Sequence, residues 1–350
     1  MYNLFIFDKS INMKKIANKY YIILPIIILN IISMFYLYNT PYFTKHLIFM
    51  LISLFSLLLF SKLNLNFFIK STPFIYIISI LLLTIVLIFG KEINGAKAWI
   101  KIFGISIQPS EITKLTLSIY IPYLTIKNKK ILYLIIIIII PTFLTFLEPD
   151  TGAIIFYFII FASSLKYSKI NKKILSFLFV ISILFIVINI FIYFSNQDIL
   201  INIYGSKLFY RIDRLISFKN QNNIQNINSL ISIGSHNLIY IPENHNDFIF
   251  AATISKLPLL FPTIIISYII IFTYYLKNIS NKKNISNIIN ITILNTLLFQ
   301  VFYNIFMNLS LVPIIGIPIP FISYGGSYLV TLYTLIGISI NLNINKNKVV

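Results

Sequence analysis

Apolar runs long enough to cross a bilayer, about 17–25 residues, recur along the whole chain. Ten stand out, at 20–38, 44–61, 73–90, 109–126, 131–147, 151–165, 174–194, 248–276, 285–309 and 323–343. The sixth is short enough to be re-entrant, and the ninth carries several Asn. Helical periodicity adds little, because a helix in lipid is apolar all round. The pattern predicts an all-α fold: a polytopic integral membrane protein of about ten transmembrane helices, one membrane domain over 1–350, with no internal repeat. One long polar stretch, 195–247, separates the seventh and eighth runs. Loops of that length are usually functional or disordered. Tyr204, Phe209, Tyr210 and Phe218 among its charges predict partial order against the membrane surface.

Basic residues orient the bundle. With the N-terminus in the cytoplasm, 18 of the 28 Lys and Arg fall inside, the C-terminus is cytoplasmic, and 195–247 is extracytoplasmic. Eight of the nine acids then lie at the outer ends, Asp8 alone being inside. Acids contribute little to topology, so their clustering points to what the outer face does. The first dozen residues show no small-residue cleavage site and read as no signal peptide, with Met13 a candidate start.

Composition closes off other classes. Charged residues are 11% of the chain and hydrophobic ones 58%, against about 25% charged in a soluble domain. That excludes a cytosolic enzyme, a disordered chain and a nucleic-acid-binding domain. The net charge of +19 then means lysines facing anionic membrane lipid, not nucleic acid. There are no Cys, so no disulfide or thiolate metal site, and three His argue against a multi-His site.

Ionisable groups in or beside spans are costly, so each is a functional candidate. Gln108-Pro109-Ser110-Glu111-Ile112-Thr113-Lys114 opens the fourth run. Glu111 and Lys114, at i and i+3, share a face and can pair, although a capped helix start with a snorkelling Lys reads as well. Glu148-Pro149-Asp150-Thr151-Gly152 turns between the fifth and sixth runs. Its carboxylates can bind a cation or a substrate hydroxyl, and a solvated turn with Asp150 as N-cap is the plainer reading. Pro242 to Asp247 is a polar run that leads into the eighth. A carboxylate there, in falling dielectric, can act as a general base; the plain alternative is an N-cap Asp beside a surface His245. Pro313 to Ser327 breaks helical structure with three Pro and three Gly, which at membrane depth favours a cavity wall. In the long loop, Arg211 and Arg214 share a face if helical and suit phosphate, or lipid headgroups.

These clusters, in this order, resemble the SEDS family, the FtsW, RodA and SpoVE-type proteins of bacterial cell-wall growth. Asn94 to Ile100 resembles the family's NGAxRWI, Gln108 to Lys114 its QPSExxK, and Glu148 to Gly152 its (Q/E)PDxG. Tyr210 to Phe218 resembles YRxxRixxF, Pro242 to Ala251 resembles PExHTDFIFA, and Gly316 to Ser327 resembles GLPLPFISYGGS. The chain departs from the pattern at Ala98, where the family has a basic residue, and at Asn246, where it has Thr. Ile254 to Pro258 stands in place of its acidic stretch, Gly234 to Asn237 in place of its Gly-rich loop, and Tyr328 in place of its second Ser.

The resemblance implies a peptidoglycan glycosyltransferase of the bacterial cytoplasmic membrane. It would polymerise lipid II at the outer face, with a class B penicillin-binding protein as partner. It implies Asp247 as the essential catalytic residue, with Glu111 and Lys114 as further catalytic residues lining a central polar cavity. Candidate substrate contacts are Arg211, Arg214, His245, Glu148, Asp150, Trp99, Ser323, Tyr324, Gly325, Gly326 and Ser327. Asp247 would deprotonate the acceptor hydroxyl, and Arg211, Arg214, Lys114 or a divalent cation (Mg2+ or Mn2+) would offset the pyrophosphate charge. A lipid-linked precursor flippase and a non-catalytic scaffold are the alternatives. The outward acids favour chemistry, because alternating access needs polar groups reachable from both sides.

Overall fold

The computed structural model describes residues 21–93, 96–102, 105–165, 167, 187–188, 191–206, 209, 224–280 and 283–344. Most of the 174–194 run, together with Arg211 and Arg214, lies outside the described residues.

Helices dominate. They are α1 (Tyr21–Leu37), α2 (Phe43–Phe60), α3 (Leu65–Lys70), α4 (Thr72–Phe89), α5 (Pro109–Ile126), α6 (Ile131–Leu147) and α7 (Thr151–Leu165). After these come α8 (Gln197–Tyr204), α9 (Ile224–Ser235), α10 (Ile249–Lys256), α11 (Phe261–Asn278), α12 (Ile285–Asn308) and α13 (Ser327–Ile344). The fourth, fifth and sixth predicted runs coincide with α5, α6 and α7. Among the described residues, α2, α4, α11 with its leading turn, α12 and α13 are long and apolar enough to span a membrane, and α1, α6 and α7 are shorter apolar helices.

Hydropathy sorts the helices by position. α4 has a mean hydropathy of 2.6 with 28% of its residues buried, whereas α13 has 1.4 with 78% buried. Helices that face acyl chains need nothing but apolar side chains. Central ones carry the small and polar residues that let helices approach and hydrogen-bond. α5 is the extreme case, buried along almost its whole length with Ser110, Glu111, Thr113, Lys114, Thr116 and Ser118 inward. α13 packs on α2. Gly337 allows the approach, because a Cβ there would stand 2.6 Å from the Leu57 carbonyl oxygen.

Two expectations are corrected. The 248–276 run is not one helix. α10 is a half-helix buried from Ile249 to Ser255 that ends at Lys256, before Leu257, whose φ of −138° and ψ of 65° are not helical. A 3-10 turn over Pro258–Leu260 follows, then α11. Proline lacks the N–H that would continue the ladder and disfavours helical backbone in the residue before it, so the chain restarts there. The 323–343 run starts its helix only at Ser327, and Ser323 to Gly326 are irregular backbone. Between α4 and α5 the chain forms three short strands. β1 (Lys91–Ile93), β2 (Ala96–Ile102) and β3 (Ile105–Ile107) form an antiparallel sheet in that order. Lys91 pairs with Trp99 and Ile100 with Ile107. Lys97 anchors the sheet by donating to the Leu87 and Ile88 carbonyls at the end of α4, at 2.8 and 2.9 Å.

Candidate active site

The four motif clusters converge on one cavity of about 1020 Å³. α5 contributes Glu111, the turn leading into α7 contributes Asp150, and β2 contributes Trp99. The Pro242 to Phe248 turn contributes Glu243, His245, Asn246 and Asp247. The non-helical stretch before α13 contributes Ile314 to Pro318 and Tyr324 to Ser327. Its backbone is free to line a hollow because it has left helical geometry, with Gly316 at φ 74°.

Cross-links between the clusters fix their spacing. Gln108 Nε2 and Ser110 Oγ both donate to Asp150 Oδ2, at 2.8 and 2.9 Å. Asp150 Oδ1 accepts from the Ala153 N–H at 3.2 Å, so it does cap α7. The Gln108 N–H donates to Ser327 Oγ at 3.2 Å. Ser323 Oγ donates to the Asn246 carbonyl at 2.8 Å, and the Tyr324 N–H donates to the His245 carbonyl at 3.0 Å. Ser323 is itself wholly buried, so it braces the wall and does not line the cavity.

Lys114 does not snorkel. Its Nζ lies 2.8 Å from Glu111 Oε1 and 2.7 Å from Oε2, with both side chains about one-tenth exposed. The ammonium also sits 4.5 Å from the Phe156 ring centre. Bundled in this way, Lys114 lies behind Glu111 and not on the cavity surface. Thr331 Oγ1 completes the group by donating to Glu111 Oε2 at 3.4 Å.

Asp247 is not an N-cap. The residue at the N-cap of α10 is Phe248, with no side-chain capping bond. Asp247 is half-buried at the cavity wall, and its Oδ1 is sealed from solvent without a hydrogen-bond partner. Burial, with Glu243 adding like charge, pushes its pKa up to about 7. Gly316 faces it: a Cβ there would stand 3.3 Å from Asp247 Oδ2. His245 is half-buried and stacks on Tyr42. Burial lowers its pKa, against the opposing pull of Glu243. At neutral pH the ring is therefore uncharged, and its 3.7 Å approach to Glu243 is not an ion pair.

Glu148 stays away from the cavity. It is fully buried, and neither carboxyl oxygen has a hydrogen-bond partner. Burial, and then Asp150, raise its pKa to about 9, so it is protonated at neutral pH.

Sequence reasoning missed Tyr42, Lys45, Asn304 and Asn308. Lys45 lines the cavity from α2. Asn304 and Asn308 reach the Asp247 backbone from α12. Their signal was present as polar residues four apart in an apolar run, but it registered only as reduced hydropathy. Among the described residues, no three His, Asp or Glu gather to hold a metal ion.

Residues 13–348 match the FtsW/RodA/SpoVE family, described as cell cycle protein. The chain is 32% identical over 336 residues to the probable peptidoglycan glycosyltransferase FtsW of Buchnera aphidicola subsp. Baizongia pistaciae, covering 86% of this chain and 84% of that protein. It is 27% identical over 308 residues to the peptidoglycan glycosyltransferase MrdB of Escherichia coli K12, covering 78% of each. A chain from a structure of a peptidoglycan synthase complex that coordinates polymerization and crosslinking superposes with a TM-score of 0.77 at 17% identity, covering 93% of this chain and 98% of that one. The crystal structure of the rod shape determining protein RodA of Thermus thermophilus gives 0.67 at 17%, covering 93% and 97%. At that identity the structural likeness speaks for the fold. The family match spans nearly the whole chain, and this multi-pass membrane protein belongs to the FtsW/RodA/SpoVE family.

Proposed function

We propose that the protein is a peptidoglycan glycosyltransferase of the bacterial cytoplasmic membrane that polymerises lipid II at the outer face. The observation that carries this reading is the Asp247 carboxyl, with one oxygen sealed and unpartnered, in the wall of the large cavity. Here the base is poised near neutrality, where proton transfer to and from it is most effective.

In this mechanism Asp247 takes the proton of the acceptor sugar hydroxyl as that oxygen attacks the anomeric carbon of the donor. The bond to the lipid pyrophosphate breaks, and the pyrophosphate leaves with the electron pair. Lys45 is the lysine on the cavity surface among the described residues and offsets the developing charge. Arg211 and Arg214 remain candidates for the same task. Glu111, neutralised by Lys114, supplies a polar wall without adding net negative charge. Trp99 and Tyr324 offer flat surfaces for sugar rings.

A divalent cation, Mg2+ or Mn2+, belongs to the same proposal. Mg2+ held by one or two carboxylates together with substrate phosphates needs no protein cage. Asp150 is the carboxylate at the cavity that would hold it, since Asp247 is committed to the proton. When bound, the ion would supply charge neutralisation at the pyrophosphate. The family likeness also supports a class B penicillin-binding protein as the partner that crosslinks the product.

The test is glycan-strand formation from lipid II by the purified protein in lipid nanodiscs, alone and with the partner transpeptidase. Wild type should polymerise, and Asp247→Asn should lose about 10²–10⁴-fold or more in rate. An unimpaired Asp247→Asn would remove the residue from this role. Lipid movement without polymer would favour the flippase.

A further inference from the structure

Asn304 and Asn308 stand one turn apart near the end of α12, and both are wholly buried. A primary amide buried in a membrane helix is costly unless its donors and acceptors are met. Elsewhere in the bundle such amides join helix to helix. Asn290 Nδ2 donates to Asn343 Oδ1 at 2.7 Å, and Asn341 Nδ2 donates to the Phe60 and Leu63 carbonyls at 3.0 and 2.8 Å. The outer pair acts differently. Asn304 Nδ2 donates to the Asp247 carbonyl and to the Ile317 carbonyl, at 2.8 Å each. Asn308 Nδ2 donates to the same Asp247 carbonyl at 3.1 Å, and its Oδ1 accepts from the Ala251 N–H at 3.1 Å. Asn308 Nδ2 also reaches Asn304 Oδ1 at 3.1 Å, which links the two amides.

We infer that Asn304 and Asn308 are positioning residues that hold the Asp247 carboxyl at its working distance from the opposite cavity wall. Two features separate this from ordinary helix glue. First, both amides converge on the backbone oxygen of one residue, the one whose carboxyl has its Oδ1 sealed and unpartnered. Second, the Asn304 amide grips both sides of the gap. Ile317 follows Gly316, and Gly316 is the residue facing Asp247 Oδ2. One rigid side chain therefore sets the base and the surface it faces, while α10 is kept in line through Ala251. Packing alone could not do this, because both walls are turns without a ladder of their own. With the amides gone, the Asp247 carbonyl loses its partners, and the turn is free to rotate the carboxyl into the wetter cavity.

The inference rests on the reading of Asp247 as the base, and the experiment separates the two. Lipid II polymerisation is measured across pH for wild type, Asp247→Asn, Asn304→Leu, Asn308→Leu and Asn295→Leu. Asn295 is a further α12 amide, bonded to Ser163 Oγ at 2.9 Å, and has no contact with Asp247. Asn304→Leu should lower kcat by about 10–10²-fold with KM for lipid II nearly unchanged, as a misplaced catalytic group does. Its acidic limb should move to lower pH, because a carboxyl released toward water regains the ordinary acidity of its type. Asn308→Leu should show the same changes in smaller degree, which keeps the test valid if Asn304→Leu fails to fold. Asn295→Leu should behave as wild type. If Asp247→Asn is inactive while both Asn304→Leu and Asn308→Leu keep wild-type kcat and pH profile, the positioning role is wrong and the base survives. If Asp247→Asn itself is active, the base reading fails first.

Discussion

The imidazole of His245 lies flat against the ring of Tyr42, with centroids 3.9 Å apart and planes 7° from parallel. Tyr324 meets the same imidazole edge-on at 5.6 Å. Tyr42 belongs to the turn before α2, so this stack ties the first helical hairpin to the segment that carries Asp247.

Removing the Tyr42 ring should loosen that segment. An aromatic pair contributes about 0.5–1.5 kcal/mol beyond its area, so Tyr42→Ala should slow polymerisation several-fold, and Tyr42→Phe should not. Initial rates at saturating lipid II check this, and equal rates for Ala and Tyr would show the stack to be incidental.

Activity should depend on pH through Asp247. With its pKa at about 7, the carboxylate needed for proton removal appears only as pH rises through neutrality. The rate should therefore climb across that range. Glu243→Gln removes a neighbouring like charge and should move the midpoint to lower pH. Stability runs the other way. The folded carboxyl holds its proton after the unfolded one, at 3.8, has lost it, so this contribution is present in acid and lost as pH rises toward about 7. The pH dependence of unfolding for wild type and Asp247→Asn should differ in that window, and superimposable curves would refute the assignment.

Breaking the Glu111–Lys114 pair from one side should be worse than removing it. Lys114→Met leaves a buried carboxylate without its cation, at a cost of about 3–5 kcal/mol. The double variant Glu111→Gln, Lys114→Met should recover much of that loss. Thermal unfolding in detergent reads the difference, and a double variant no more stable than Lys114→Met would contradict it.

Glu148→Gln should be nearly silent. At neutral pH Glu148 is already uncharged, so the amide keeps its size and its neutrality. Polymerisation and melting temperature should match wild type. A loss as deep as that of Asp247→Asn would mean that Glu148 works as an ionised group.

Much of the frame was readable from order and spacing. The helices α5, α6 and α7 fall where their apolar runs fall, since a helix in lipid must satisfy its own backbone. The i, i+3 spacing of Glu111 and Lys114 was enough to expect their pairing, because it is a local relation. The three-stranded sheet was not readable. Lys91 to Ile107 is short, partly charged and interrupted, and its pairing depends on docking against α4 through Lys97. The break in the eighth run was visible in principle at Pro258 but was overridden by its continuous apolarity.

The candidate site divides in the same way. Sequence alone determined that this is a multi-span membrane protein with its carboxylates in motif order, because apolar length and residue type are local properties. Only the tertiary structure decided which carboxylate is charged and which faces the hollow. Glu148 and Asp150 are two residues apart, yet one is sealed and protonated while the other lines the cavity. Burial, and the amides of Asn304 and Asn308 that hold Asp247 from 57 and 61 residues away, arise from packing between distant segments, which no local pattern encodes.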